Sequence, residues 1–164
     1  MHGIILSYGG IPLIYAGDEI GTLNDYSYLN DPAKKEDSRW VNRPKQDWGV
    51  IDKLDERKNT QSKIFFALQH LIKLRKELSV FDDNNNLKLY HSNNPHVLLF
   101  ERISENQNGI LIVCNFDSYP QTIDKNELGG FLKKKNLRNL ITGKSIVFVN
   151  ENLVLEPYAL LWLM

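Results

Sequence analysis

Residues Gly9–Gly21 read GGIPLIYAGDEIG. A tight Gly9-Gly10 pair leads into a short apolar stretch, Ile11 to Tyr15, which breaks at Gly17 and is followed at once by two carboxylates, Asp18 and Glu19. An apolar strand that delivers charge at its C-terminal end is how α/β and barrel enzymes place their chemistry. Ile11–Tyr15 is therefore expected to be a strand, with Pro12 tolerated near its start. No earlier strand stands beside it in the sequence, so the chain is expected to be the tail of a larger enzyme. Just upstream, residues 2–8 (HGIILSY) are apolar and read as the end of a helix, with Gly9-Gly10 as its stop.

Downstream, residues 22–58 carry polar runs, two prolines and two tryptophans, and no sustained period. A stretch that long without periodicity is an active-site loop or a disordered linker. Trp40 and Trp48 favour the loop, since flexible linkers lack large aromatics. Thr60–Val80 has helical spacing: Ile64, Phe65, Leu68, Leu71, Ile72, Arg75 and Leu78 share a face, while Lys63, Gln69, Lys73 and Lys76 lie opposite. Asn59 or Thr60 supplies the N-cap. After the turn cluster Asp82–Asn86 the period changes to two. Strands are expected at Leu87–Tyr90, Val97–Ile103, Ile110–Phe116, Thr122-Ile123, Leu137–Ile141, Ser145–Val149, Leu153–Leu155 and Tyr158–Leu163. Turns are expected at Asn93–Pro95 and Asn106–Gly109. Residues 87–164 thus read as an antiparallel all-β domain.

The totals bound the function. At 164 residues the chain is too short for a complete (β/α)8 barrel, which takes roughly 250. Its 20 basic and 20 acidic residues balance, which argues against a nucleic-acid surface. No apolar run reaches a membrane span, and residues 1–6 lack the basic start of a signal peptide. A cytoplasmic location is expected, with any leader of a parent protein outside this stretch. The single cysteine, Cys114, sits among Ile110–Val113 and reads as a buried, inert thiol. The histidines His2, His70, His91 and His96 show no ligand spacing, and the aspartates do not match a calcium loop, so neither metal nor cofactor is expected.

Neighbours on a strand point to opposite faces. Asp18 and Glu19 are thus unsuited to be the facing acid and base of a hydrolase, though one can face a site while the other ties down a loop. Beyond them come Asn24, Asp25, Tyr26 and Tyr28, then Asp37, Arg39, Trp40, Asn42 and Arg43. Aromatics that stack on sugar rings, mixed with Asp, Asn and Arg that bind hydroxyls in pairs, are how a sugar site is stocked. The competing reading is a surface loop with a solvated charge run, Lys34–Asp37.

GGIPLIYAGDEIG, then NDYSY (Asn24–Tyr28) and DSRWVNRP (Asp37–Pro44), resemble amylosucrases, α-amylase-type enzymes of glycoside hydrolase family 13. NFDSYPQTI (Asn115–Ile123) and LEPYALLWL (Leu155–Leu163) resemble the C-terminal sandwich of the same family. The resemblance implies that residues 1–82 are the C-terminal remnant of a (β/α)8 barrel: strand eight, a long active-site loop and helix eight. Residues 83–164 would be the antiparallel β-sandwich domain that follows.

It also implies a parent enzyme that opens sucrose, releases fructose and passes glucose to an α-1,4-glucan, by retaining chemistry with two carboxyls about 5 Å apart. The family's catalytic acids precede the seventh barrel helix, so none is expected in this chain, and the chain alone is expected to be inactive. By resemblance Arg39 helps to floor the glucose pocket, with an acidic partner from an early loop that is absent here. Arg39 alone would then be solvated. Arg43, Asp25 and Tyr26 are candidates for wall or acceptor-side contacts. The expected partners are sucrose and α-glucan in the parent, no nucleic acid, no membrane, and self-association through barrel-facing surfaces. The alternatives are a carbohydrate-binding or purely structural β-module, with Trp40, Trp48 and Tyr28 stacking on glucan, or a parent that is a sucrose hydrolase.

Overall fold

The computed structural model describes residues 1–82, 85–104, 109–133 and 136–164. The turn expected at Asn106–Gly109 lies, but for Gly109, outside the described residues, as do Asp83 and Asn84 of the turn expected at Asp82–Asn86. The chain divides into two compact units, Met1–Pro12 with His70–Met164, and Leu13–Gln69. The described residues form a mixed α+β arrangement with two antiparallel sheets and, among them, no (β/α)8 or closed barrel.

Helix α1 (His2–Tyr8) ends where the sequence predicts, at Gly9, whose φ of 145° no other residue adopts easily. A four-residue α2 (Trp48–Ile51) and the long α3 (Thr60–Glu77) follow. Asn59 caps α3, its Oδ1 accepting the Ser62 N–H at 2.7 Å. The helix stops three residues short of Val80, and Ser79–Phe81 tighten into a 3-10 turn. His70 Nε2 lies 2.8 Å from the Ile141 carbonyl oxygen.

The strands are β1 (Leu87–Tyr90), β2 (Val97–Arg102), β3 (Ile110–Asn115), β4 (Gln121–Asp124), β5 (Asn152–Leu155) and β6 (Leu160–Leu163). Four of them form one antiparallel sheet in the order β1-β2-β3-β6, and β4 and β5 form a two-stranded sheet. In register, Leu99 faces Val113 and Leu111 faces Leu163. These residues join Ile123, Leu153 and Leu155 of the small sheet, and Leu128 and Phe131 of the 3-10 stretch Lys125–Lys133, in one core.

The opposite face of the large sheet is covered as well. Phe100 meets Tyr8 of α1 edge-on at 5.5 Å, and Trp162 meets Phe81 at 4.9 Å. Strand β3 is buried at every position, which explains why Ile110–Cys114 reads as a continuous apolar run instead of an alternation. Gly3 is needed for this packing: a Cβ there would lie 2.0 Å from Leu160 Cδ2.

Three expectations are corrected. Ile11–Tyr15, expected as strand eight of a barrel, has no regular structure and lies outside both sheets, with Ile11 95% and Leu13 79% exposed. Its peptide groups have no neighbouring strand, and strand identity is a matter of pairing, not of apolar composition. Leu137–Ile141 and Ser145–Val149 are also not strands. They make isolated bridges, Arg138 to Ser145, Asn139 to Leu163 and Val149 to Asn152, because the turn at Leu140–Thr142, closed by the Gly143 N–H on the Asn139 carbonyl at 2.8 Å, folds the chain back within a few residues.

Two titratable groups make the fold sensitive to alkali. The Tyr90 hydroxyl donates to Glu101 Oε2 at 2.5 Å, and burial together with that carboxylate pushes the phenol up to about 12. Burial pushes the Cys114 thiol up to about 12. Each group is held neutral by the fold, so its stabilisation is complete below the unfolded-chain value and is lost as pH rises through the folded one. The thermal midpoint is expected to fall between pH 9.0, the ordinary thiol value, and about 12. Tyr90→Phe should make that fall shallower above pH 10.0. A midpoint whose pH dependence is identical in the variant would refute the assignment to Tyr90.

Candidate functional site

Residues 13–59 contain little regular structure beyond short helical turns, and aspartates organise them. Asp25 Oδ1 accepts the Ser27 N–H at 2.8 Å, Asp31 Oδ1 that of Ala33 at 2.9 Å, Asp37 Oδ1 that of Arg39 at 3.0 Å, and Asp47 Oδ1 that of Val50 at 3.2 Å. Each bond turns the chain locally, as short acidic side chains do in Asx turns and N-caps. The results are 3-10 turns at Ser27–Asn30 and Ser38–Asn42, a turn at Asp31–Glu36 and helix α2. One long-range bond, from the Asp25 N–H to the Val41 carbonyl at 2.9 Å, ties the first turn to the third. The Asp-rich composition of this loop is thus a folding device as well as a store of polar groups.

Upstream, Asp18 and Glu19 lie in a 3-10 turn, Asp18–Ile20, and have separate roles. Glu19 Oε2 accepts the Gly17 N–H at 2.7 Å and ties the turn down, while Asp18 lines a hollow. Gly17 sits at φ 103°, where a Cβ would also meet Thr22 Oγ1 at 2.9 Å.

Two hollows open on this unit. The first, about 410 Å³, is lined among others by Tyr15, Asp18, Asn24, Arg39, Asn42 and Arg43. The second, about 580 Å³, is lined by Asp25, Tyr28, Asp31, Lys34, Trp40, Arg43 and Lys45 among others. Arg43 and Pro44 form a wall common to both. Of the four residues the sequence singles out, Arg39 therefore lies in the first hollow, Asp25 in the second and Arg43 in both. Tyr26 lines neither; it is exposed at the start of its 3-10 turn. Trp40 is half-buried beneath Lys34, whose Nζ stands 5.0 Å from the ring centroid. Trp48 is exposed and outside both hollows.

Arg39 is solvated as expected, its side chain 73% exposed, and it also pairs locally. Its Nε donates to Asp37 Oδ1 and its Nη2 to Asp37 Oδ2, each at 2.8 Å, a bidentate fork made two residues away in sequence. The fork holds the Asp37 carboxyl below the usual carboxylate range and raises the guanidinium further. Ser27 lowers Asp25 through side-chain and backbone hydrogen bonds, and Asp31 is lowered by the Ala33 N–H and by Lys34. All three acids are anionic at neutral pH and engaged. Among the described residues no three His, Cys, Asp or Glu side chains converge as a metal site does, and no helix is long and apolar enough to cross a membrane.

Sequence reading misses Tyr15, Thr22, Pro44 and Lys45 as lining residues. Tyr15 could have been found from its place at the C-terminal end of the apolar stretch. The others carry no local signal, because the curl of the loop selects them.

The described residues thus join a loop rich in aromatic, amide and guanidinium side chains to a domain of two antiparallel sheets. Residues 88–164 match the family described as amylosucrase, C-terminal domain. Over 163 residues, 99% of this chain, the sequence is 26% identical to a glucosylglycerate phosphorylase of Escherichia coli (strain K12), of which it spans 27%. Among solved structures, it is similar to AmyP in complex with maltotriose (TM-score 0.68, 15% identity, 98% of this chain and 33% of that one). It is also similar to Ttha1563 from Thermus thermophilus (TM-score 0.65, 20% identity, 98% and 29%). The chain thus spans about a quarter to a third of the proteins it matches. At those identities the structural likenesses speak to fold alone.

Proposed function

We propose that this chain is the C-terminal portion of an α-amylase-type glucosyl-transferring enzyme, related to the amylosucrases, that takes glucose from sucrose, releases fructose and extends an α-1,4-glucan. The observation that carries the reading is the amylosucrase C-terminal family match over residues 88–164, joined to a relative aligned across nearly the whole chain. In this reading residues 1–82 complete a barrel whose other strands lie elsewhere in a longer polypeptide, and Ile11–Tyr15 gains its missing neighbours there. Residues 83–164 are the closing β-domain. Arg39, Arg43, Asp25 and Tyr26 contact sugar, and the catalytic carboxyls come from outside this chain. The location is cytoplasmic, and the separated chain self-associates through the surfaces it would bury in the longer enzyme.

A second reading is favoured by the curated relative, a phosphorylase: the glucosyl acceptor is inorganic phosphate instead of a glucan. Two assays separate the readings. The chain alone, given sucrose, is expected to release no fructose above the blank; measurable fructose would sink the claim that catalysis needs residues outside it. A longer polypeptide ending in this sequence is expected to release fructose and lengthen maltoheptaose without phosphate. Turnover that requires phosphate and yields glucose 1-phosphate replaces transfer by phosphorolysis. No turnover of either kind removes both readings and leaves a binding or scaffold module.

A further inference from the structure

Arg43 stands in the wall that the two hollows share, and Lys45, just past Pro44, lines the larger one. The other cations of this region are engaged. Arg39 is held by both Asp37 oxygens, and Lys34 by Asp31 at 3.0 Å and by the Trp40 ring. Among the described residues the Arg43 guanidinium and the Lys45 ammonium make no hydrogen bond or ion pair; the charge of Arg43 reaches Asp37 only through space.

Of the acids facing the larger hollow, Asp31 is paired with Lys34 and accepts the Ala33 N–H, while Asp25 accepts the Ser27 N–H and keeps its charge. The lining thus sets three cations, Lys34, Arg43 and Lys45, against two carboxylates, Asp25 and Asp31, beside Tyr28 and Trp40. A rigid guanidinium fork next to a point-charge ammonium suits an oxyanion, which the fork can bind through two oxygens at once.

We propose that Arg43 and Lys45 form an oxyanion-recognition site in the larger hollow. The ligand is either inorganic phosphate or the carboxylate of a small acid joined to the sugar. The inference rests on the glucosyl-transfer reading above and decides between its forms, because a neutral glucan end offers these cations no charge to bind. Arg43 is then a specificity-determining residue.

The test follows the Arg Nε–Hε resonances and the amides of residues 24–45 in the full chain by NMR. Phosphate, glycerate and chloride are added at matched ionic strength, then sucrose and maltoheptaose. Phosphate or glycerate is expected to shift Arg43 saturably while chloride does not, and Arg39, held by Asp37, should move less. Arg43→Gln and Lys45→Gln alter exposed side chains, and each should weaken binding by about tenfold with an unchanged amide spectrum elsewhere. A response to phosphate alone makes phosphate the ligand, and one to glycerate alone makes it an acidic aglycone. If neither anion moves Arg43, or chloride moves it equally, the oxyanion site is refuted. If the neutral sugars still shift residues 24–45 in that case, the sugar reading survives. Anion binding with no response to either sugar sustains the site and removes sucrose and glucan as its partners.

Discussion

Asn115→Ala is expected to lower the free energy of unfolding by about 3 kcal/mol, read by urea denaturation. Asn115 is 3% exposed at the end of β3 and joins two loops that no strand connects. Its Nδ2 donates to the carbonyls of Tyr119 at 3.0 Å and Glu156 at 2.9 Å, with Leu155 a longer third at 3.4 Å. Its Oδ1 accepts the Asp117 N–H at 2.8 Å. Alanine would leave these backbone groups unpaired in or near the interior, and an orphaned buried polar group costs roughly 1–3 kcal/mol, partly relieved where water can enter.

Tyr158 sharpens the expectation. It holds a left-handed φ of 55°, and its N–H donates to the Asp117 carbonyl at 3.1 Å, so loosening Asp117 removes support from a strained residue. Asn115→Asp is the informative companion. It keeps the acceptor but sets a carboxylate against carbonyl oxygens, which raises the folded-state pKa of the new acid. Its destabilisation should therefore exceed that of alanine at neutral pH and recede as pH falls. A loss under about 1 kcal/mol for alanine, or an Asp variant indifferent to pH, would refute the role given to Asn115.

Arg102→Ala should cost more, about 4 kcal/mol, because it removes volume as well as hydrogen bonds. Arg102 is fully buried on β2, with its guanidinium over the Phe81 ring. Its Nε donates to Asn86 Oδ1 at 2.6 Å and its Nη1 to the Ser7 carbonyl at 3.2 Å. Arg75 works beside it, donating from Nη1 to the Leu6 carbonyl at 2.5 Å and from Nη2 to the carbonyls of Gly10 and Phe81.

Two guanidiniums therefore satisfy carbonyls at the C-terminal end of α1, groups a helix cannot pair internally, and their positive charge suits the negative end of its dipole. Hydrogen exchange of the α1 amides should accelerate in Arg102→Ala beyond the change in global stability. Arg102→Met, which restores volume without donors, should recover about half of the loss. Full recovery by Met would show that Arg102 acts by packing alone, and unchanged α1 exchange would remove its link to the helix.

Elements built from near neighbours were legible in the sequence. The period of 3.6 places α3, Asn59 caps it, Gly9 ends α1, and alternation or continuous apolarity places β1, β2 and β3, because these signals arise within a few residues of where they act. The loop's stock of Asp, Asn, Arg and aromatic side chains was legible for the same reason, and three of the four residues singled out from it line the hollows. Other features were not. Ile11–Tyr15 has a strand's composition and no strand to pair with, and Leu137–Val149 has the alternation of two strands but folds into bridges. Arg39 is solvent-exposed as expected, but its fork with Asp37 was not legible.

Sequence alone thus determined α1, α3, the strands β1 to β3 and which residue types the loop presents. Tertiary structure alone decided that Asn115 and Arg102 are buried keystones, because their partners lie 40 and 95 residues away and composition carries no record of such distances. It also decided which cations of the loop are spent on neighbouring carboxylates and which, Arg43 and Lys45, are left facing a hollow. That depends on how the backbone curls around its aspartates, and not on how many charges it carries.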